Sequence, residues 1–316
     1  MKFDLYQYLL LFTAIAASSS ILTPFFRAIA RKANIFDHPG GRKLQESPVA
    51  YLGGLAVATP ITFGSLIIVF IPSLSEIKFQ VYLGLIIPSI IIALIGLFDD
   101  IYQLPPLPRF IAQSGVGFIT SVMLYLTDSG VKLFDKSWLN YLVTTLWVVT
   151  IINALNFMDN MDGLATCLSI MISISMFVLS YLNEQYVVSA LCVAIFAACI
   201  GFLFWNKKPA TIYLGDAGAL YLGFLLAAIS IRIDIRSQSE IIRVLVPLLI
   251  FAIPLIDIVQ VVIRRIIKGS SPFDGGRDHL SHLLLTKGLS EVKVLTVLIT
   301  SAAVLSFFGI FLSEVI

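Results

Sequence analysis

Asn153-Ala-Leu-Asn156-Phe-Met-Asp159-Asn-Met-Asp162-Gly163 lies between two apolar runs, Tyr141 to Ile152 and Leu164 to Leu182. Amides and acids stand where a hydrocarbon-compatible segment should be ending. Polar groups so close to lipid are costly, and their default reading is functional. The flanking runs set the fold class. A membrane span needs about 20 apolar residues, and on that rule the sequence predicts helices near 5–26, 50–71, 80–98, 110–126, 139–155, 163–182, 187–204, 212–231, 243–263 and 292–312.

Composition agrees, with 58% hydrophobic and 13% charged residues and a mean hydropathy of +0.96, against roughly 25% charged in an ordinary soluble domain. The expectation is an all-α, polytopic integral membrane protein of about ten transmembrane helices, a single transmembrane domain over residues 1–316. A formal charge of +2 gives nucleic acid no reason to bind. Cys167, Cys192 and Cys199 lie inside apolar runs without metal-type spacing and read as small hydrophobes. Lys2 and the run ending Ala16-Ala17-Ser18-Ser19-Ser20 imitate a secretory signal. The apolar character nevertheless continues through Phe26 to Arg27, Arg31 and Lys32, which marks a span whose C-terminal end faces the cytoplasm.

Lysine and arginine assign the sides. Loops and helix ends on one face carry 14 of the 21 basic residues, among them Arg42, Lys43, Arg109, Lys207, Lys208, Arg264, Arg265 and Arg277; the other face carries 7, including Arg232, Arg236 and Arg243. The basic face is therefore expected to be cytoplasmic, with both termini outside. Nearly every polar cluster falls on that face.

The first loop there holds Asp37-His-Pro-Gly-Gly-Arg42-Lys43, and Gly53-Gly54 lead into the second span. The third span ends Gly96-Leu-Phe-Asp99-Asp100, with acids at a helix C-terminus where the macrodipole favours cations. Such a pair suits a divalent ion or proton transfer from a phosphate. Asn156, Asp159 and Asp162 are spaced by three, so on a continuous helix they share a face. Their oxygens suit a hard ion such as magnesium, and Asp162 also fits an N-cap. Tyr213-Leu-Gly215-Asp216-Ala-Gly218 embeds an acid in an apolar run. The longest loop reads Ser270-Ser-Pro-Phe-Asp274-Gly-Gly-Arg277-Asp278-His279-Leu-Ser-His282. Two histidines beside an arginine fit an anionic phosphate better than zinc. Asp257, a turn or two inside the ninth span, is expected to pair with a cation near this loop.

These motifs, in this order on one face, resemble the polyprenyl-phosphate N-acetylhexosamine-1-phosphate transferase family, over essentially the whole chain. The most specific parts are Asp99-Asp100, Asn153-Ala-Leu-Asn156 through Asp162-Gly163-Leu, Tyr213-Leu-Gly-Asp216 and the histidine loop. The resemblance implies that undecaprenyl phosphate attacks the β-phosphate of a UDP-N-acetyl sugar at the cytoplasmic face of the bacterial plasma membrane, releasing UMP. It implies magnesium, with manganese as a substitute, held by Asn156 and Asp216. Asp99 would accept the lipid phosphate proton with Asp100 in support. Asn153, Asp159 and Asp162 would line the nucleotide pocket, Tyr213 would stack on uracil, and Lys43, Arg109, Arg277, His279 and His282 would contact phosphates. The partners implied are both substrates and the lipid bilayer, with a homodimer as a candidate assembly.

Gln103 and the interrupted His279-Leu-Ser-His282 depart from the lysine and consecutive histidines of the MraY branch and favour the WecA/TagO-like branch, for which UDP-GlcNAc is the common donor. GalNAc, FucNAc and MurNAc-pentapeptide donors are the alternatives. A secondary transporter of a phosphorylated solute is the rival class; transporters place polar groups near the bilayer midplane, whereas these crowd one interface.

Overall fold

The structure, a computed structural model, describes residues 3–37, 48–69, 82–128, 130–237, 239–273 and 276–315. Helix α1 (Leu5–Lys32) opens on a capping box, in which Asp4 Oδ1 accepts from the Gln7 N–H and Gln7 Oε1 accepts from the Asp4 N–H. Two short antiparallel strands, β1 (Phe36–Asp37) and β2 (Val49–Ala50), precede α2 (Gly53–Val69). A π-helical turn, Tyr82–Ile86, leads into α3 (Ile87–Tyr102). Then follow α4 (Pro106–Leu126), α5 (Ser137–Met158), α6 (Leu164–Leu182), α7 (Tyr186–Asn206) and α8 (Gly215–Arg232). The chain closes with α9 (Glu240–Ile250), α10 (Ala252–Ile267), α11 (Leu280–Thr286) and α12 (Glu291–Val315).

Among the described residues, eight helices are long and apolar enough to cross a membrane. Helices α9 and α10 make a ninth passage bent by 77°, so the single span expected at 243–263 is broken. Its cause is local: Pro254 has no N–H to give the Ile250 carbonyl and its ring crowds that carbonyl. Helix α2 is shorter than a full span, and residues 70–81 lie outside the described residues. Sequential reversals of direction bring the C-terminal ends of α3, α5, α7 and α10 and the N-terminal ends of α2, α4, α6 and α8 to one end of the bundle. The polar clusters of the sequence gather there.

Helix α8 is the axis, its apolar window 83% buried against 17% for α1. A helix that is apolar on every side belongs inside. Lipid offers no hydrophobic drive between helices, so close backbone approach through small residues takes its place. At Gly54 an added Cβ would lie 2.2 Å from the Gly218 nitrogen, and at Gly96 one would lie 2.4 Å from the Asp216 carbonyl oxygen. Helices α2 and α3 thus press onto the first turn of α8 at glycine.

These contacts make a graded prediction. Gly96→Val should destabilise the fold by about 1–3 kcal/mol, as overpacking does, and lower the apparent unfolding temperature in detergent. Gly115→Ala, where a Cβ meets nothing within 4 Å, should leave that temperature unchanged or slightly raised.

Candidate active site

The site is built around the first turn of α8. A helix N-terminus leaves its first N–H groups without partners and carries partial positive charge. Here carboxylates from two other segments supply the acceptors. Asp100 takes the Asp216 N–H on Oδ1 (2.8 Å) and the Ala217 N–H on Oδ2 (3.0 Å), and the Asp159 side chain accepts from the Gly215 N–H. Gly215 is required: its φ is +70°, and a Cβ would fall 2.7 Å from Asp100 Oδ2. With the backbone so held, the Asp216 side chain is turned toward Asn156 and Arg109.

Asp216 Oδ1 accepts from Asn156 Nδ2 at 2.6 Å, and its Oδ2 accepts from Arg109 Nη1 at 2.8 Å. The same Nη1 binds Asp99 Oδ2, while Asp99 Oδ1 accepts from the Leu104 N–H at 2.7 Å. The adjacent pair therefore divides: Asp99 joins the cation, and Asp100 clamps a helix. Sequence spacing could not separate neighbours; only their opposite directions at the end of α3 do.

The three-residue spacing of Asn156, Asp159 and Asp162 does not become one helical face. Helix α5 stops at Met158, Asp159 has φ −81° and ψ 45°, and α6 begins only after Gly163 at φ +73°. The turn sends each residue elsewhere. Asn156 reaches Asp216, Asp159 reaches Gly215, and Asp162 Oδ2 accepts from the Ala210 N–H at 2.9 Å. Asp162 is therefore not the N-cap of α6; that position is Gly163. Asn153, a turn deeper, donates to Gln113 Oε1 at 2.9 Å and to the Val149 carbonyl at 2.8 Å, tying α5 to α4 rather than lining an open pocket. Gln113 was legible only as a residue four beyond Arg109, on the same helical face.

Tyr213 is half-buried. Its N–H donates to the Ala50 carbonyl at 2.9 Å and its carbonyl accepts from the Gly53 N–H at 3.1 Å. Its ring lies 6.2 Å from that of Tyr51, whose hydroxyl donates to Asp37 Oδ1 at 2.9 Å. Burial and then the nearby charge of Asp162 raise the Tyr213 phenol, so it stays protonated at neutral pH. Burial also raises Asp162, with Glu291 adding to the shift against the Ala210 hydrogen bond. Lys43 lies outside the described residues.

The histidine loop packs against the same stretch from the far side. Asp257 Oδ2 lies 2.8 Å from His279 Nδ1, and its Oδ1 accepts from the Leu280 N–H at 2.6 Å. This buried acid thus both orients the imidazole and caps α11; the expected partner near the loop is His279. The ring of His279 meets Phe157 edge-on at 5.2 Å, with His282 6.2 Å beyond. Burial and then the neighbouring His279 lower His282. His279 Nδ1 is turned to Asp257, and among the described residues no third His, Cys, Asp or Glu joins the two histidines as a metal group. Arg277 sits exposed on the loop. The buried arginine is instead Arg265, which holds Asp278 with Nε and Nη2 (2.8 and 2.9 Å) and lies over the Phe157 ring at 5.5 Å. That bond keeps Asp278 below the usual carboxylate range. Arg265 looked like one of several topogenic cations at the end of a span.

Among the described residues no three His, Cys, Asp or Glu side chains converge as a metal site. What does converge is two carboxylates from different helices, Asp99 and Asp216, around one cationic nitrogen, with the Asn156 amide beside them. Hard oxygen donors, few in number and without sulfur, fit magnesium, which keeps waters and takes its remaining ligands from substrate phosphates; manganese accepts the same donors.

The family described as Glycosyl transferase family 4 matches residues 82–234. The chain is similar to the probable undecaprenyl-phosphate N-acetylglucosaminyl 1-phosphate transferase of Bacillus subtilis (strain 168), 31% identical over 277 residues, or 86% of this chain and 75% of that protein. It is 29% identical over 298 residues to the undecaprenyl-phosphate alpha-N-acetylglucosaminyl 1-phosphate transferase of Escherichia coli (strain K12), covering 90% and 78% of the two chains. It is 27% identical over 326 residues to the decaprenyl-phosphate N-acetylglucosaminephosphotransferase of Mycobacterium tuberculosis (strain ATCC 25618 / H37Rv), covering 93% and 80%.

Asp159 supplies a pH test. Burial, and then the charge of Asp216, push its carboxyl up to about 7. Between the unfolded value of about 4 and 7 the folded chain then holds a proton that the unfolded chain has lost, so this group's contribution to stability falls as pH rises across that window. The substrate-free protein should lose thermal stability over that interval, and Asp159→Asn should flatten the slope. A slope unchanged in Asp159→Asn would show that the carboxyl ionises at its ordinary value.

Proposed function

The chain belongs to glycosyl transferase family 4, and from that membership we propose that it transfers N-acetylglucosamine 1-phosphate from UDP-GlcNAc to undecaprenyl phosphate. The products are UMP and a pyrophosphate-linked lipid, the first lipid-linked intermediate of a surface polysaccharide. The observation that carries the reading is the meeting of Asp99 and Asp216 on Arg109, with Asn156 donating to Asp216, four residues from separate helices at one end of a membrane bundle. The names of the three relatives favour GlcNAc as the sugar. The basic residues at that end, Arg31, Lys32, Lys207, Lys208, Arg264 and Lys268, favour the cytoplasmic face of the plasma membrane, with both termini outside.

Two anions must meet in this reaction, a lipid phosphate and a diphosphate. Magnesium, when bound by Asp99, Asp216 and Asn156, supplies charge neutralisation and polarises the phosphoryl group. Arg109 is the chain's own movable countercharge. Where substrate phosphates draw its guanidinium away, the Asp99 and Asp216 carboxylates are released for their roles. A phosphate monoester has a second pKa of about 6, so the lipid phosphate is largely a dianion at neutral pH. Asp99 as proton acceptor then matters for the remaining monoanion, and the larger demand is electrostatic. Direct attack by the lipid oxygen on the β-phosphorus expels UMP in one step and needs no covalent enzyme intermediate. Asp162 and Tyr213 flank the segment from Ala210 to Tyr213 and form the nucleoside side of the site; Arg277 and His282 lie on the loop facing the phosphates.

Purified protein given UDP-GlcNAc, undecaprenyl phosphate and magnesium should release UMP. A panel replacing GlcNAc by GalNAc, FucNAc or MurNAc-pentapeptide assigns the sugar, and UMP release with none of them overturns the proposal. Asp216→Asn should lower kcat by on the order of 10²–10³, the scale of losing one preorganised electrostatic group. Asp162→Ala should mainly raise KM for the UDP-sugar, because it frees the Ala210 backbone without touching Asp216. Equal effects of the two variants on kcat and KM would erase the division between phosphate and nucleoside sides.

A further inference from the structure

At the end of the bundle away from the acids, an open cavity of about 870 Å³ lies between α5, α7, α8, α9 and the adjoining loops. Helix α8 has 18 residues from Gly215 to Arg232, so this cavity lies about 27 Å from the acid cluster at 1.5 Å per residue. That is close to the whole hydrocarbon thickness of about 30 Å.

Arg232 lines it, and its Nε and Nη1 are buried with no hydrogen-bond partner among the described residues. A guanidinium removed from water costs several kcal/mol unless an anion or good acceptors meet it. The acids on the lining are engaged or open to water: Asp128 pairs with Lys132, Glu184 pairs with Arg236, and Asp234 and Glu240 are exposed. Arg243, the other cation on the lining, turns its Nε to the Ser237 carbonyl at 2.9 Å. Arg232 is thus a cation on the lining whose Nε and Nη1 the described residues leave without an acceptor.

The opposite wall is apolar. Val244 and Leu248 line the cavity and are 40% and 41% exposed, so its α9 side offers open apolar surface. A cation and an apolar wall on one cavity in a membrane bundle fit an amphiphile. We infer that this cavity is a second anion site, in which Arg232 receives a phosphate group and the wall at Val244 and Leu248 receives the chain of a phospholipid that carries it. The site is independent of the transfer reaction and lies in the opposite leaflet.

Native mass spectrometry of the full chain, released from micelles containing phosphatidylglycerol or phosphatidylcholine, tests it beside a thermal-shift titration with inorganic phosphate. Wild type should retain one phosphatidylglycerol in preference to phosphatidylcholine. Arg232→Gln should weaken retention at least tenfold, about 1.4 kcal/mol, and Arg232→Lys should restore most of it. Val244→Trp, which fills the mouth at an exposed position and leaves the guanidinium intact, should also displace the lipid and covers the case in which Arg232→Gln does not fold. Neither variant touches the acid cluster, so UMP release should be unchanged. Stabilisation by phosphate that depends on Arg232, without lipid retention, assigns the same anion chemistry to a free ion. Equal phosphatidylglycerol retention by wild type, Arg232→Gln and Val244→Trp, or binding of neither lipid nor phosphate, overturns the inference.

Discussion

The α8 N-terminus is the constraint on which the site depends. Its first three N–H groups are taken by Asp159 and Asp100, and this is possible because glycines let neighbouring backbones reach it. A residue larger than glycine at 96 or 54 would push α3 or α2 outward, and Asp100 would lose its reach to Asp216 and Ala217. Packing and electrostatics are therefore one device. The macrodipole draws negative charge to this turn, the chain supplies more of it than the dipole can balance, and Arg109 holds the surplus between Asp99 and Asp216.

The stretch from Asn153 to Gly163 is the hub that joins this device to the rest of the molecule. Asn153 binds α4 through Gln113, Asn156 binds Asp216, and Asn160 Oδ1 accepts from the Ser281 hydroxyl of α11 at 2.6 Å. Phe157 stands between the His279 ring and the Arg265 guanidinium, and Asp162 holds the segment that leads to Tyr213. Eleven residues of chain thus touch α4, the first turn of α8, the segment leading to Tyr213 and the histidine loop. Its cost in hydrocarbon is offset because each polar side chain has a partner from another segment, the condition under which membrane proteins tolerate such groups.

Hydropathy and motif spacing made most of the spans and the clustering of the polar motifs at one end legible, because lipid thickness acts on the sequence directly. Three features were not legible. The break at Phe251 depends on a proline whose effect within an apolar run is either a kink or a tolerated irregularity, and hydropathy is blind to the difference. The end of α5 at Met158 converts an i, i+3 spacing into three divergent directions, which only the left-handed Gly163 hinted at. The bracing of the histidine loop by Arg265, in the last turn of α10, was hidden because its partner Asp278 lies 13 residues further along the chain. Side-chain direction at helix ends is set by tertiary partners, and those partners were distant in the chain.

Charge counting then orders the events of the proposed reaction. In the substrate-free site one guanidinium faces two carboxylates, and Asp159, protonated up to about pH 7, adds little negative charge below that. A diphosphate and a lipid phosphate bring three or more further negative charges into the same space, which a single arginine cannot neutralise. Magnesium, if held by Asp216 and Asn156, would supply positive charge toward that demand, as it is commonly held by one or two carboxylates together with substrate phosphates. Binding of the nucleotide should therefore be what moves Arg109 off Asp99 and Asp216, while the α8 backbone stays fixed. The rigid part of the site is its backbone clamp, and the exchangeable part is its countercharge.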